Sequence, residues 1–158
     1  MRAKGFTLVE ILIVVVILGI LAAIVIPQFT SASEEAKQSS LVSDLQAVRS
    51  QIELFKIQHN DQLPGTIPAG SPATFVTAMT TNTDQYGAAG GRFGPYMKTI
   101  PGNPFVDGTA SYAVDEEAGI GNLGGGNCGW HYDTTTGWFQ ADDDGINKYD
   151  GNKPHIDY

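Results

Sequence analysis

Apolar residues are concentrated at one end of this 158-residue chain. Every residue from 11 to 26 is apolar or Gly. Extended to 6–29, the segment would form a helix of roughly 36 Å, enough to cross a hydrocarbon core of about 30 Å. Because Arg2 and Lys4 precede it, we expect the N-terminus to stay in the cytoplasm and the bulk of the chain to lie outside it.

A second hydrophobic pattern begins near residue 40. Apolar residues recur there at alternating steps of four and three, which places them on one face of an amphipathic helix. The positions are Leu41, Leu45, Val48, Ile52 and Phe55. We expect this face to pack against a globular domain, and the helix to end within 58–61, before Pro64 and Gly65.

The rest of the chain is rich in turn residues and short apolar stretches. Residues 75–79 predict one helical turn, and 111–114 predict a short strand. Residues 129–133 and 138–141 flank a Thr-Thr-Thr-Gly segment and predict a β-hairpin. Four aromatic side chains should supply most of the apolar burial of this sheet: Trp130, Tyr132, Trp138 and Phe139.

These patterns predict an α+β fold in which a long N-terminal helix packs on a small C-terminal antiparallel β-sheet. The predicted organisation is a leader (1–5), a hydrophobic transmembrane or assembly helix (6–29), an amphipathic helix (30–60), a connecting region (61–109), and a β region with an acidic C-terminal loop (110–158).

Composition narrows the function classes. The net charge of −8 and the pI near 4.6 argue against a nucleic-acid partner, which would require clustered Lys and Arg. Cys128 is the one cysteine and has no intramolecular disulfide partner. The three histidines, His59, His131 and His155, lack metal-ligand spacing, and we expect the first and last near exposed ends. We expect no enzyme activity, since no nucleophile elbow or paired acids can be identified.

Residues 119–124 satisfy the G-x-G-x-x-G pattern of dinucleotide sites. Such a site needs a helix directly after the glycines. Here Gly125, Gly126 and Asn127 follow, which will not open a helix. We therefore interpret the segment as a flexible loop.

Glu10 places a carboxylate near the start of the apolar run. An ionised side chain inside a bilayer is costly, and it implies a partner of opposite charge. Neither a cleaved secretory signal, for which 30–32 offers a small-residue site, nor a simple anchor accounts for it. We expect a cationic partner for Glu10.

Residues 4–10, Lys-Gly-Phe-Thr-Leu-Val-Glu, resemble the processing site of type IV pilins and type II secretion pseudopilins. The resemblance implies that a prepilin peptidase cuts after Gly5 and that Phe6 becomes the N-methylated N-terminus. It also implies that Glu10 meets the N-terminal amine of a neighbouring subunit in a filament. The helix-breaking positions fall on Gly19 and Pro27, between which the helix can loosen on assembly; a simple kink at Pro27 is the alternative.

The acidic run 142–150 is a candidate calcium site. Calcium prefers several hard oxygen ligands on a loop that can curl, and this run supplies carboxylates and a turn glycine, although no Glu closes it as in an EF-hand. A solvated acidic turn is the alternative. Major pseudopilins carry a calcium site in their C-terminal loops, so the resemblance favours Asp142, Asp144 and Asp150 as ligands.

The resemblance implies a structural role, that of the major pseudopilin of a type II secretion system driving protein export across the outer membrane. It implies a single-pass inner-membrane protein with a periplasmic C-terminal domain, assembled into a periplasm-spanning filament. Its partners would be copies of itself, minor pseudopilins, the prepilin peptidase, and an inner-membrane platform with an ATPase motor.

Two other functions remain open. One is a type IV pilus subunit for adhesion, motility or DNA uptake; the unpaired Cys128 and the acidic charge favour secretion over it. The other is a membrane-anchored binding module whose ligand site is the acidic loop. Such an anchor would need neither Glu10 nor the Gly5–Phe6 junction.

Overall fold

The computed structural model describes residues 5–66, 74–119, 128–142, 146–147 and 153–154. In chain order its elements are α1 (Leu8–Gln58), α2 (Phe75–Thr80), a 3-10 helix (Gly108–Tyr112), β1 (Val114–Glu117), β2 (Trp130–Asp133), β3 (Phe139–Ala141), β4 (Ile146–Asn147) and β5 (Lys153–Pro154). The chain divides into two compact units, the N-terminal unit (residues 1–36) and the C-terminal unit (residues 37–158).

The N-terminal unit contains the first part of α1 with its apolar side chains exposed. Their exposed fractions range from 42% at Val25 to 81% at Leu8. The α-helix continues through both Gly19 and Pro27. In the isolated chain these positions therefore do not interrupt the helix, and the loosening expected on assembly stays a prediction.

In the C-terminal unit, α1 buries the predicted face. All five apolar positions are at most 2% exposed, which confirms that this face packs on the globular core. The helix ends at Gln58, within the predicted interval. Asn60 and Asp61 then adopt left-handed φ angles of 53° and 64°. The Asp61 N–H donates to the Lys56 carbonyl at 2.8 Å and thereby satisfies a carbonyl of the last turn.

The main sheet has the order β1-β2-β3. Strands β2 and β3 form the predicted antiparallel hairpin, with Tyr132 opposite Phe139 and a left-handed Gly137 in the turn. Strand β1 runs parallel to β2, so the α+β fold is confirmed but the sheet is mixed rather than antiparallel. Residues 118–129 connect the two parallel strands, which agrees with the length such a crossover needs. The strand expected at 111–114 begins only at Val114, because the 3-10 helix occupies the preceding residues.

Aromatic rings join α2 to the sheet. Phe75 of α2 lies 4.2 Å from Tyr132 and 5.4 Å from Phe139, and Phe139 lies 5.2 Å from Trp130. These four residues are fully buried. Trp138, by contrast, is 52% exposed, so the prediction of its burial is wrong. Trp138 lies before β3, at the turn of the hairpin, and is therefore outside the buried strand that contains Phe139.

His59 is also a correction, because it is fully buried rather than near an exposed end. Its ring stacks on Phe55 at 3.8 Å. One ring nitrogen lies 2.9 Å from the Phe55 carbonyl oxygen and the other 2.9 Å from the Thr83 hydroxyl. The helical spacing that buries Phe55 also directs the ring of His59, four residues later, towards the core.

Candidate functional site

The start of α1 is built by reciprocal hydrogen bonds between Thr7 and Glu10. The Thr7 hydroxyl accepts from the Glu10 N–H at 3.2 Å. Glu10 Oε2 accepts from the Thr7 N–H and from the Thr7 hydroxyl, both at 2.8 Å. This is a capping box, which satisfies donors that a helix N-terminus leaves without intrahelical partners. The carboxylate of Glu10 is therefore positioned within its own chain before any neighbour contributes.

Thr7 is a residue whose role the sequence interpretation missed. The pattern Thr-x-x-Glu before an apolar run is itself a capping-box signal. The sequence contains this signal, but it overlaps the processing motif. Glu10 was therefore interpreted only as an assembly residue, and Thr7 was given no role. The structure shows that Glu10, the residue expected to act in assembly, also caps the start of α1.

The predicted processing junction lies directly before this cap. Gly5 and Phe6 precede the first helical residue, and Phe6 is 79% exposed. A Cβ added at Gly5 would contact nothing within 4 Å. Hydrolysis after Gly5 would leave an amine on Phe6, next to Thr7 and four positions from Glu10. A carboxylate has more acceptor sites than the two bonds from Thr7 use.

The segment that follows is apolar and unburied. The large apolar side chains between residues 8 and 26 are all at least 42% exposed. By length and composition, the helix can cross a membrane. So much exposed apolar surface is unusual for a soluble monomer and indicates that something apolar surrounds the segment.

Of the three predicted calcium ligands, the structure describes one. Asp142 follows β3 and is 4% exposed, and its N–H donates to the Gly129 carbonyl at 3.0 Å. Asp144 and Asp150 lie outside the described residues. Among the residues that are described, no group of three His, Cys, Asp or Glu could hold a metal ion. The calcium site therefore stays a prediction.

Two further sequence candidates lie at opposite ends of the sheet, with Cys128 at the end where Asp142 lies and Gly119 beside Asp133. Burial, together with the charges of Asp115 and Asp142, raises the pKa of the half-buried Cys128 thiol. A protonated thiol is a poor nucleophile, which favours the interpretation of Cys128 as a small filler. The glycine-rich segment begins at Gly119, just after β1, and residues 120–127 lie outside the described part of the chain.

Two carboxylates organise the loops of the C-terminal unit. Asp133 accepts from the Thr136 hydroxyl at 2.6 Å, from the Thr135 N–H at 2.8 Å and from the Gly119 N–H at 2.9 Å. The Thr136 hydroxyl and these backbone donors hold the pKa of Asp133 well below its usual range. Glu116 accepts from the Phe75 N–H at 2.8 Å, and burial raises the pKa of its carboxyl group. Both acids have structural roles.

Comparisons with known proteins agree with this architecture. The prokaryotic N-terminal methylation motif matches residues 1–26. A type II secretion system core protein G of Aeromonas hydrophila is 33% identical over 104 residues, covering 66% of this chain and 68% of that relative. This chain belongs to the core protein G family of type II secretion systems, the major pseudopilins. The expected family resemblance is therefore confirmed.

Other members of the superfamily match shorter stretches. A core protein G of Dickeya chrysanthemi is 43% identical over 65 residues, which is 41% of this chain and 42% of that relative. A type IV narrow pilus major component of Thermus thermophilus is 47% identical over 58 residues, which is 37% of this chain and 50% of that relative. No solved structure gives a significant match. The longer match to a core protein G therefore supports secretion over the pilus alternative.

Proposed function

We propose that this chain is the main building block of a secretion filament, stored in the inner membrane through α1 until assembly. The observation that carries the proposal is the capped start of an exposed apolar helix directly after Gly5 and Phe6. Such a helix has two available environments, the lipid bilayer and the core of a bundle of like helices. Moving from the first to the second turns a membrane anchor into an assembly element.

Processing supplies a cationic partner for the Glu10 carboxylate. Cleavage after Gly5 by a prepilin peptidase frees an amine on Phe6, and N-methylation leaves that amine cationic, as methylation does for lysine. In the filament, the amine of one subunit meets the Glu10 carboxylate of a neighbour. Water is excluded there, so the attraction is much stronger than in solution. The bonds from Thr7 hold the carboxylate ready for that contact.

The proposed topology follows from the charges that flank α1. Arg2 and Lys4 keep the leader in the cytoplasm, and the C-terminal unit lies in the periplasm. An inner-membrane platform with its ATPase motor would drive subunits into the filament beneath minor pseudopilins. The growing filament would push exported proteins through an outer-membrane channel.

The mass of the N-terminal peptide, purified from cells with and without the prepilin peptidase, tests this proposal. The expected peptide begins at a monomethylated Phe6 in the first case and at Met1 in the second. A protein that begins at Met1 in both, or beyond Ala32 and soluble in the periplasm, would contradict the proposal.

Assembly is tested by Glu10→Gln, with Glu10→Asp as the matched variant that keeps the charge. We expect Glu10→Gln to reduce filament yield at least tenfold, and Glu10→Asp to retain part of the yield. Peptidase processing should continue in both. Normal filaments from Glu10→Gln would refute the proposed contact with the neighbouring amine.

Calcium binding by the C-terminal loop is a separate proposal. Asp142, Asp144 and Asp150 would supply carboxylate oxygens, and a bound ion would tie the acidic loop to the end of β3. Thermal unfolding of the full-length chain in detergent should shift upward with calcium and much less with magnesium. Asp142→Ala should remove the shift, whereas an unchanged melting temperature in the unsubstituted chain would eliminate the site.

A type IV pilus is the alternative function, favoured by the Thermus thermophilus pilus component that this chain resembles. Deletion of the gene distinguishes the two. A secretion subunit is required for export of proteins to the medium, whereas a pilus subunit is required for surface motility, adhesion or DNA uptake.

A further inference from the structure

The outward face of α1 in the C-terminal unit changes character near the end of the helix. Its earlier exposed positions carry small or polar residues, namely Ser43, Gln46, Ala47 and Ser50. Two large aliphatic side chains follow, Leu54 at 40% and Ile57 at 79% exposure. Glu53 lies beside them, four residues before Ile57 and on the same face. We call Glu53, Leu54 and Ile57 the ridge.

The same unit contains an open recess of about 430 Å³. It is formed by α2, residues 98–100 and the end of the 3-10 helix, and its lining residues are Val76, Thr80, Lys98, Thr99, Ile100 and Tyr112. Ile100 is 5% exposed, whereas Tyr112 is 59% exposed. The volume lies within the range of about 300–1,000 Å³ typical of binding pockets. Lys98 is the cationic residue of the lining.

The ridge and the recess are complementary in shape and charge. The ridge offers protruding aliphatic side chains next to a carboxylate, and the recess offers a concave, mainly apolar surface next to an ammonium group. We propose that the ridge of one subunit docks in the recess of a second copy of this chain, with Ile57 entering the recess and Glu53 facing Lys98. The inference rests on the proposed filament function and specifies the contact between C-terminal units.

A second copy fits these surfaces because they share no residue. A contact between two different surfaces is heterologous, and each added subunit leaves one ridge and one recess open for the next. Contacts of this kind generate open filaments when the rotation does not close a ring. A self-complementary patch would instead stop growth at a dimer.

Apolar burial supplies the binding energy, and the charged pair sets the orientation. Ile57 exposes most of its side chain in the isolated subunit, so docking removes apolar surface from water. Glu53 pairs with Lys56 at 3.1 Å within its own helix. Pairs of this kind on a surface are weak, so Glu53 can turn to Lys98 of a neighbour. Rim charges of this sort control register and partner choice more than affinity.

Disulfide trapping in assembled filaments tests the contact directly. The full-length chain carries Cys128→Ser together with Ile57→Cys and Thr99→Cys, and oxidation of its filaments should give a ladder of dimers, trimers and longer oligomers. Each single cysteine should give no ladder. The matched control combines Ile57→Cys with Tyr86→Cys, which is exposed but outside the recess.

The outcomes separate this inference from the proposed function. Filaments without a ladder, or an equal ladder from the Tyr86 control, would overturn the docking while leaving the filament intact. Failure of the Cys128→Ser parent and the unsubstituted chain to form filaments would overturn both.

Charge and size variants provide the second measurement. Ile57→Asp should lower filament yield at least tenfold, whereas Ala47→Asp, on the same helix outside the ridge, should not. Lys98→Glu should lower yield about threefold to tenfold, and Glu53→Lys in the same chain should restore it. All four positions are exposed, so thermal unfolding of the C-terminal unit should not change. An unchanged filament yield in Ile57→Asp would overturn the proposed pairing. So would a yield in Lys98→Glu that Glu53→Lys does not restore.

Discussion

Residues 11–26 and residues 41–55 belong to the same helix and contain the same kinds of aliphatic residue. In the first segment the large apolar side chains are 42–64% exposed, whereas the five core positions of the second are at most 2% exposed. Helix propensity does not distinguish them. The difference is that the C-terminal unit folds against the second segment, whereas the large side chains of the first segment stay exposed. The chain thus buries the apolar side chains of one part of the helix itself, and those of the other part must be covered by a membrane or by other subunits.

The comparison is tested most strongly by truncating one phenylalanine in each unit. Phe139 is fully buried, and Phe29 is 73% exposed. We expect Phe139→Ala to lower the free energy of unfolding by about 3–5 kcal/mol and Phe29→Ala to leave it unchanged. Denaturant unfolding in detergent, followed by tryptophan fluorescence, reports on the C-terminal unit because both tryptophans belong to it. Equal losses would contradict the division.

Two glycines give a second contrast. A Cβ at Gly129 would clash with the Ser111 carbonyl oxygen, whereas a Cβ at Gly19 would meet nothing within 4 Å. We expect Gly129→Ala to destabilise by about 3 kcal/mol through overpacking. Gly19→Ala should stabilise the helix by about 0.5–1 kcal/mol. The same Gly19→Ala variant should assemble less well if this stretch loosens in the filament, and filament yield measures that effect.

The pH dependence of the C-terminal unit should reflect Asp133. Its pKa is lowered in the folded state, so its contribution is present above the unfolded pKa of about 3.9 and is lost as the pH falls through the folded value. We expect Asp133→Asn to destabilise by about 2 kcal/mol at pH 7, with the difference shrinking towards pH 2. Asp107→Asn, at an exposed aspartate, is the control. A constant difference between pH 7 and pH 2 would argue against this origin.

The smallest contrast concerns two threonine N-caps. Thr74 accepts from the Thr77 N–H at 3.2 Å at the start of α2, and Thr7 caps α1. Thr74→Ala should lower the stability of the C-terminal unit by about 1 kcal/mol. Thr7→Ala should leave that stability unchanged and reduce filament yield, because it removes the hydroxyl that donates to the Glu10 carboxylate and leaves only the backbone N–H to hold it. Serine at either position should restore the wild-type result, and a loss of C-terminal stability in Thr7→Ala would show that the units are not independent.

Local periodicity was sufficient for much of the fold. The steps of four and three identified the buried face of α1 because helix geometry alone brings those positions together. The helix end was predictable from nearby turn residues, and the hairpin from two apolar stretches around a turn. These features depend on neighbours a few residues away.

The sequence-based predictions that the structure corrected concern features that local periodicity does not determine. The parallel pairing of β1 with β2 joins residues separated by a long connection, and no local pattern states its direction. Trp138 and His59 are amphipathic side chains whose burial depends on the strand face or helix turn next to them. The capping role of Thr7 was encoded locally, but the same residues also form the processing motif, and only that motif was recognised.

By itself, the sequence determined a membrane-length apolar helix and a carboxylate at Glu10 near its start, and it predicted a processing junction at Gly5 and Phe6. These follow from composition and spacing along one helix, which contacts between distant residues hardly alter. Only the tertiary structure decided which apolar side chains are covered, how the strands pair, and which residues line the recess. Those properties depend on long-range packing, in which the residues that surround a side chain are distant from it in the sequence.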